Sequence, residues 1–450
     1  MDVEERLHHG ARWLRSDDGA RWAFWVAIVV SLPVLYLVGR HQWFTRDDWA
    51  FILTREKIHQ TAGLSDMLFL PQDGHWMTIP IVVFRLTDRI FGIDSYWPYL
   101  LPTMVCHLAT AVMVRKLCLR VGVRPWTAAI LGAMLAVFGY GWENIVFGIQ
   151  IVYNLSFLAF LVQLWLIDHD GPPNRRDALG VVAGLVSVMS SGFGPFFIVG
   201  TLCFMLMRRR WKAAAIAVGP TALAEAWWWL AWGSDPAGEK HGGSLTQLPA
   251  FVRRGFESVF EAMATTSLVG IALLSTLAVL LWRRRDRAAH DLIFSLAVTA
   301  LLIYVGLGLQ RGGFGTETAA SSRYVYIGAA LLMPAFGIAV DQLERVASPA
   351  IWAARVMLMA AVAMNAGALR SNGDKWADTA GGERTLLELI AGSPGFATLD
   401  PNIAPLEPSP DVHVGDLPEL IAEGAIHPRV PASPGEQALV DAALSPKPVP

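Results

Sequence analysis

Charge is scarce in this sequence. Asp, Glu, Lys and Arg supply 16% of the 450 residues, against about 25% in an average soluble domain. Apolar residues run the other way, at 54%. Exchanging Tyr for Gly, to match the usual count, raises that share to about 61%, against roughly 45–50% for soluble domains. An ordinary water-soluble enzyme is excluded on this balance, and so is disorder over most of the chain. A net charge of −2 leaves no basic footprint for nucleic acid. Cysteine is nearly absent. Cys106, Cys118 and Cys203 all lie in apolar stretches, which is neither a disulfide framework nor a zinc spacing. Internal repeats are also missing.

What the chain does have is a series of long apolar runs. A bilayer core takes about 20 such residues per helix. Runs fall near 22–39, 97–119, 126–142, 145–167, 178–191, 194–207, 212–232, 264–282, 290–309, 324–342 and 350–369. The expectation is an all-α polytopic membrane protein with about eleven spans. Each member of the pair 178–191 and 194–207 is short, and Ser190 to Pro195 must form the turn between them, so a re-entrant pair fits as well. The first run reads as a signal anchor, because its leader is long and acidic and no small-residue cleavage site follows it.

Basic residues cluster at Arg12/Arg15/Arg21, Arg115/Lys116/Arg120/Arg124, Arg175/Arg176, Arg208/Arg209/Arg210/Lys212 and Arg283/Arg284/Arg285/Arg287. Threading the spans puts every cluster on one side, which the positive-inside rule makes the cytoplasm. The reading is therefore a cytoplasmic leader (1–21), a membrane domain (22–369) and a Pro-rich outer tail (370–450), expected to be weakly ordered. The membrane is expected to be the cytoplasmic (inner) membrane. Residues 40–96, 233–263 and 310–323 become outer loops.

Several polar residues on that outer side are not explained by topology. Asp47 and Asp48 adjoin the end of the first span. They read as a solvated pair or helix cap, or as a catalytic pair in which one carboxylate is a general base and its neighbour raises its proton affinity. Residues 77–93 carry Ile79, Val82, Val83, Leu86 and Ile90 at helical spacing, with Arg85, Asp88 and Arg89 between them, which predicts a helix lying in the interface. Before it comes His75, a neutral-to-cationic group where a phosphate would arrive. Glu143, Gln150 and Asn154, spaced by seven and four, predict one stripe descending about 16 Å along the fourth span. Glu225 is an acid well inside a span, so it reads as a site candidate or as a pairing group for a neighbouring helix. Trp227, Trp228, Trp229 and Trp232 read as an interfacial belt. Arg311, with Gly312 and Gly313, and Arg323, beside Tyr324, place cations where a phosphate could be forked or a lipid headgroup anchored. A base and a phosphate clamp beside an apolar groove suit group transfer from a lipid-linked phosphate.

The order of these parts resembles the GT-C superfamily of membrane glycosyltransferases, within the protein mannosyltransferase and aminoarabinose transferase group. The likeness rests on Arg46-Asp47-Asp48-Trp49, Gly74-His75-Trp76-Met77-Thr78-Ile79-Pro80, Gly141-Trp142-Glu143-Asn144 with Gln150, and Ser322-Arg323-Tyr324-Val325-Tyr326, and covers roughly residues 20–345. No Pro-Pro follows His75, and there is no large C-terminal domain of the oligosaccharide-transferase kind. The resemblance implies an inverting glycosyltransferase on the outer face. It would take a polyprenyl-phosphate sugar as donor and a glycan, lipid or protein as acceptor. Asp47 would be the base, with Asp48 supporting it or binding Mg²⁺ or Mn²⁺, and Arg311 or Arg323 would hold the phosphate. His75, Glu143, Gln150, Asn154, Glu225 and Tyr324 complete the expected substrate site. Two other readings are a flippase for lipid-linked sugars and a non-catalytic scaffold for envelope assembly.

Overall fold

The structure is a computed structural model describing residues 16–233, 242–264, 287–346 and 348–445. Within these residues the chain is helical, with one isolated antiparallel bridge, Gln72 to His75. Among the described residues six helices are long and apolar enough to cross a membrane: Asp17–Gly39, Trp97–Arg120, Gly148–Ile167, Ala289–Phe314, Ser322–Gln342 and Trp352–Ala391. Pro125–Ala136 and Gly194–Met207 are shorter apolar helices. The chain is an integral membrane protein. The span expected at 264–282 lies outside the described residues, apart from Ala264, as do Arg12, Arg15 and the arginines of 283–285.

Local chemistry sets the helix ends. Ser16 caps the first helix by accepting from the Gly19 amide at 3.0 Å, with Asp17 and Asp18 in its first turn. Carboxylates there complement the helix dipole, so this helix starts earlier than its apolar run. Its outer face, with Trp22, Val26, Val29 and Leu37, is exposed, as a lipid-facing helix requires. Arg175–Val188 opens with a capping box in which Asn174 and Asp177 satisfy each other's backbone amides.

Members of two basic clusters meet at one end. Arg120 and Arg208 both pair with Asp168, and Arg210 pairs with Asp177. At the same end Asp341 accepts from the Arg124 amide and the Thr127 hydroxyl, both at 2.6 Å. Helices Arg175–Val188 and Gly194–Met207, 14 residues each, form a hairpin whose turn lies at the opposite end. At about 1.5 Å per residue each is about 21 Å long, short of a full bilayer core.

The interfacial helix spans Thr78–Phe91 and ends at Gly92, whose φ of 63° terminates it. Ile81 and Phe84 are buried, whereas Val82, Leu86 and Ile90 are exposed. The predicted apolar stripe therefore faces away from the protein, while Arg85 turns inward to the Ile52 carbonyl, Glu56 and Asp88.

Two expectations are corrected. Glu143, Gln150 and Asn154 do not share one helix. Glu143–Val146 is a single turn, Phe147 is extended, Gly148–Gln150 is a 3-10 turn, and the long helix begins at Ile151. The tail is not a loose appendage either. Helix Ser348–Ala391 runs 44 residues, and the segment beyond it buries Leu406, Val412, Leu417, Leu420 and Ile426.

Candidate active site

At the end opposite the paired arginines, the first loop folds back on the bundle. Asp47 and Asp48 turn in opposite directions. Asp48 is fully buried. Its Oδ1 accepts from the Ile149 amide at 3.0 Å, and its Oδ2 accepts from the Tyr96 hydroxyl at 2.8 Å and the Thr45 amide at 3.3 Å. Tyr96 in turn accepts from the Gly148 amide. Asp48 thus ties the loop to the Gly148–Gln150 turn, and burial pushes its carboxyl up to about 8. Both of its carboxylate oxygens are thus engaged by this loop and that turn, unlike those of Asp47. Its oxygens face hydrogen-bond donors, which does not fit a divalent cation. Among the described residues no three His, Cys, Asp or Glu side chains converge as a metal-ligand set.

Asp47 reaches solvent, and among the described residues its carboxylate accepts no hydrogen bond. Asp47 is exposed, in contrast to Asp48. Burial raises its proton affinity above the ordinary aspartate value, and Asp73 and Asp411 raise it further, against Arg323 and Arg46. Arg46 holds a left-handed φ of 51°, which costs a non-glycine residue about 1–2 kcal/mol. Its guanidinium lies 4.9 Å from the centroid of the Trp376 ring.

Asp73 and His75 arrive on a tight turn. Asp73 and Gly74 both have positive φ, 50° and 74°, the dihedral signature of an Asp-Gly hairpin turn. Gln72 and His75 exchange backbone bonds across it, at 3.1 and 2.9 Å. Buried Arg55 organises the approach by donating to the Met67 and Leu70 carbonyls and to Gln72 Oε1. The next residue, Trp76, stacks on Trp228 with ring centroids 5.6 Å apart, and Trp228 Nε1 donates to the Phe69 carbonyl at 2.8 Å. Trp227, Trp228 and Trp232 therefore dock this loop. The His75 ring lies against Gly192, in the hairpin turn. Burial first, then the Arg311 charge, lowers its pKa, with Asp73 opposing. The shift favours the neutral form of the neutral-to-cationic group read from the sequence.

The other wall carries the cations. Arg323 lies beside Tyr324, its guanidinium 5.3 Å from the centroid of that ring, within electrostatic reach of Tyr153, Glu143 and Asp47. Its Nε and the Tyr324 hydroxyl are buried, and among the described residues neither has a hydrogen-bond partner. Phe193 packs between Tyr153 and Tyr324. Glu143 accepts from the Ser322 hydroxyl and the Arg323 amide, so it caps the Ser322–Val346 helix rather than facing the site. Asn154 donates to the carbonyls of Asn144 and Thr103, a structural tie. Gln150 is buried with Oε1 unpaired.

The structure thus gathers Asp47, His75, Arg311, Arg323 and Tyr324 at one end, with Gln150 behind them. Glu225 stands apart. It lines a separate apolar groove of about 460 Å³ with Pro195, Ile198, Trp229 and Leu230. Sequence reasoning passed over Asp73, Tyr153 and Asp411. The Asp-Gly pair was a usable signal for Asp73. Nothing local marked Tyr153 or Asp411.

This helical architecture, with an interfacial helix in the first loop and a polar site at one end, is a GT-C-like fold. The solved structures sharing it include ArnT from Cupriavidus metallidurans bound to undecaprenyl phosphate. That match has 13% identity and a TM-score of 0.53, over 92% of this chain and 87% of that one. The apo state of ArnT matches at 14% identity and a TM-score of 0.52, with the same coverage. A chain of the Archaeoglobus fulgidus oligosaccharyltransferase reaches a TM-score of 0.48 at 13% identity, over 81% of this chain and 55% of that one. No protein-family model and no curated protein sequence matches the chain.

Proposed function

We propose that this chain is an inverting glycosyltransferase that moves a sugar from a polyprenyl-phosphate donor to an envelope glycan, lipid or protein. The observation that carries the reading is the pairing of Asp47, an acid with an unengaged carboxylate, with Arg323 within electrostatic reach. The shared fold with a protein solved with undecaprenyl phosphate supports the donor class. By the positive-inside rule the paired arginines would mark the cytoplasmic end, which supports an outer-face site in the inner membrane.

Asp47 takes the proton of an acceptor hydroxyl as that oxygen attacks the anomeric carbon. The carbon–oxygen bond to the donor phosphate breaks, and configuration inverts. The leaving polyprenyl phosphate gains negative charge, which Arg323 and Arg311 stabilise. Neutral His75 can donate one N–H to a phosphate or sugar oxygen. The raised proton affinity of Asp47 makes it a stronger base than a free aspartate. A flippase would place its polar groups near the bilayer midplane, whereas these gather at one end.

Asp47→Asn tests the reading. Transfer of radiolabelled sugar from lipid-linked donors should fall by about 10²–10⁴-fold, while the variant inserts and stays monodisperse. Full transfer by that variant sinks the proposal.

A further inference from the structure

The segment beyond the membrane bundle reaches the Asp47 loop by a specific set of contacts. Glu383, on the Ser348–Ala391 helix, is buried and accepts two hydroxyls, from Thr45 at 2.8 Å and from Ser409 at 2.7 Å. Ser409 is fully buried and accepts the Arg46 amide at 2.5 Å. Asp411 accepts the Thr54 hydroxyl at 2.6 Å, and Lys57 pairs with Asp416 at 2.8 Å. Trp376 lies under Arg46, and Arg384 lies over Trp43.

These contacts fall on both residues that precede Asp47. Arg46 holds a backbone conformation that L side chains rarely adopt, and such conformations persist only where the surroundings over-determine them. Asp48 fixes the loop from the bundle side, through Ile149 and Tyr96. Without Glu383 and Ser409, the Arg46 amide and the Thr45 hydroxyl would lose their buried partners, and the left-handed Arg46 would be held only by the turn's own bonds, Asp48 amide to Thr45 carbonyl at 3.2 Å and Trp49 amide to Arg46 carbonyl at 3.1 Å.

We infer that Glu383 and Ser409 form a clamp by which the C-terminal segment holds Asp47 in its working position. They are positioning residues for the proposed base. The inference rests on the transferase reading above. The clamp touches neither Arg311 nor Arg323, so it acts on turnover and not on capture of the phosphate.

The test uses the full chain in detergent or nanodiscs, with three measurements on Ser409→Ala. They are the amide exchange of residues 43–49, the binding of undecaprenyl phosphate, and the rate of sugar transfer. Radiolabelled membranes from a deletion strain supply donor and acceptor. Exchange over 43–49 should rise and undecaprenyl phosphate binding should stay unchanged. The saturated rate should fall roughly tenfold or more, as expected when a reacting group shifts by a fraction of an ångström. Thr45→Val, nearly isosteric, should reproduce the effect from the other side of Glu383, and Thr45→Ser, which keeps the hydroxyl, should restore the rate. If Ser409→Ala does not accumulate, the Thr45 pair carries the test alone.

Unchanged exchange overturns the clamp. Raised exchange with a wild-type rate, or a rate loss matched by loss of undecaprenyl phosphate binding, overturns its role in positioning. A wild-type chain that transfers no sugar overturns the transferase reading and this role with it, while the exchange measurement still decides whether the clamp exists.

Discussion

Gly192→Ala should remove activity while leaving a folded protein, and the structure sets the scale. A methyl group on Gly192 would lie 2.0 Å from His75 Nδ1, 2.5 Å from Cε1 and 2.6 Å from Cγ. Ordinary contact begins near 3.4 Å, so the ring must retreat by about 1.4 Å, and displacements near 1 Å can cost about 10²-fold in rate. Neither backbone can yield easily. The turn carrying Gly192 is closed by the Gly194 amide on the Ser191 carbonyl at 3.0 Å, and Phe193 is wedged beside Tyr153 and Tyr324. His75 is tied to Gln72 and followed by the stacked Trp76. The ring itself must leave its place. Overpacking of this kind costs about 1–3 kcal/mol, tolerable in a bundle of this size. The assay is sugar transfer beside thermal unfolding of the same preparation. Gly219→Ala is the control, because a methyl there meets nothing within 4 Å and Ala favours a helix interior. A Gly192→Ala protein with the wild-type rate and wild-type stability would refute the placement of His75 against the hairpin turn.

Two further predictions concern pH. Asp73 is the first charge that raises the proton affinity of Asp47, and the base works deprotonated, so Asp73→Asn should move the acid limb of the rate profile to lower pH. A limb that stays put or moves upward argues against Asp47 as the titrating base. For Asp48 the sign runs through stability. Its folded pKa of about 8 exceeds the ordinary 3.8, so the folded chain keeps a proton there that the unfolded chain loses. Unfolding free energy should fall as pH rises between those values, with a slope of at most about 1.4 kcal/mol per pH unit from this group. Asp48→Asn should flatten that slope in unfolding measured across pH 5 to 8, and an equally steep profile would contradict the assignment.

Much of the fold was legible because each membrane helix must satisfy its own backbone, so apolar length reports it directly. Arg120, Arg208 and Arg210 were legible as a group for a related reason, since their placement obeys one rule about charge and membranes. The Glu143–Asn154 stripe was misread because spacing alone assumes an unbroken helix, and the break at Phe147 is made by partners far away, Tyr96 and Asp48, holding Gly148 and Ile149. Asp47 and Asp48 read as equals in sequence, and their different burial came only from the folded loop. The tail misled most. Its Pro-rich composition suggested disorder, while its order comes from long-range contacts such as Glu383 with Thr45, which no local pattern encodes.

The Ser348–Ala391 helix has a mechanical consequence. At about 1.5 Å per residue it extends about 66 Å, roughly twice the hydrocarbon thickness of a bilayer. One end lies among lipid-facing residues such as Trp352 and Val356, and the other carries Trp376 and Glu383. Were it to tilt as one body, a small change at the lipid end would displace the Asp47 loop by several ångströms. Membrane thickness would then bear on the proposed transfer. The same chain should run at different rates in short-chain and long-chain lipids, with Glu383 as the tip of the lever.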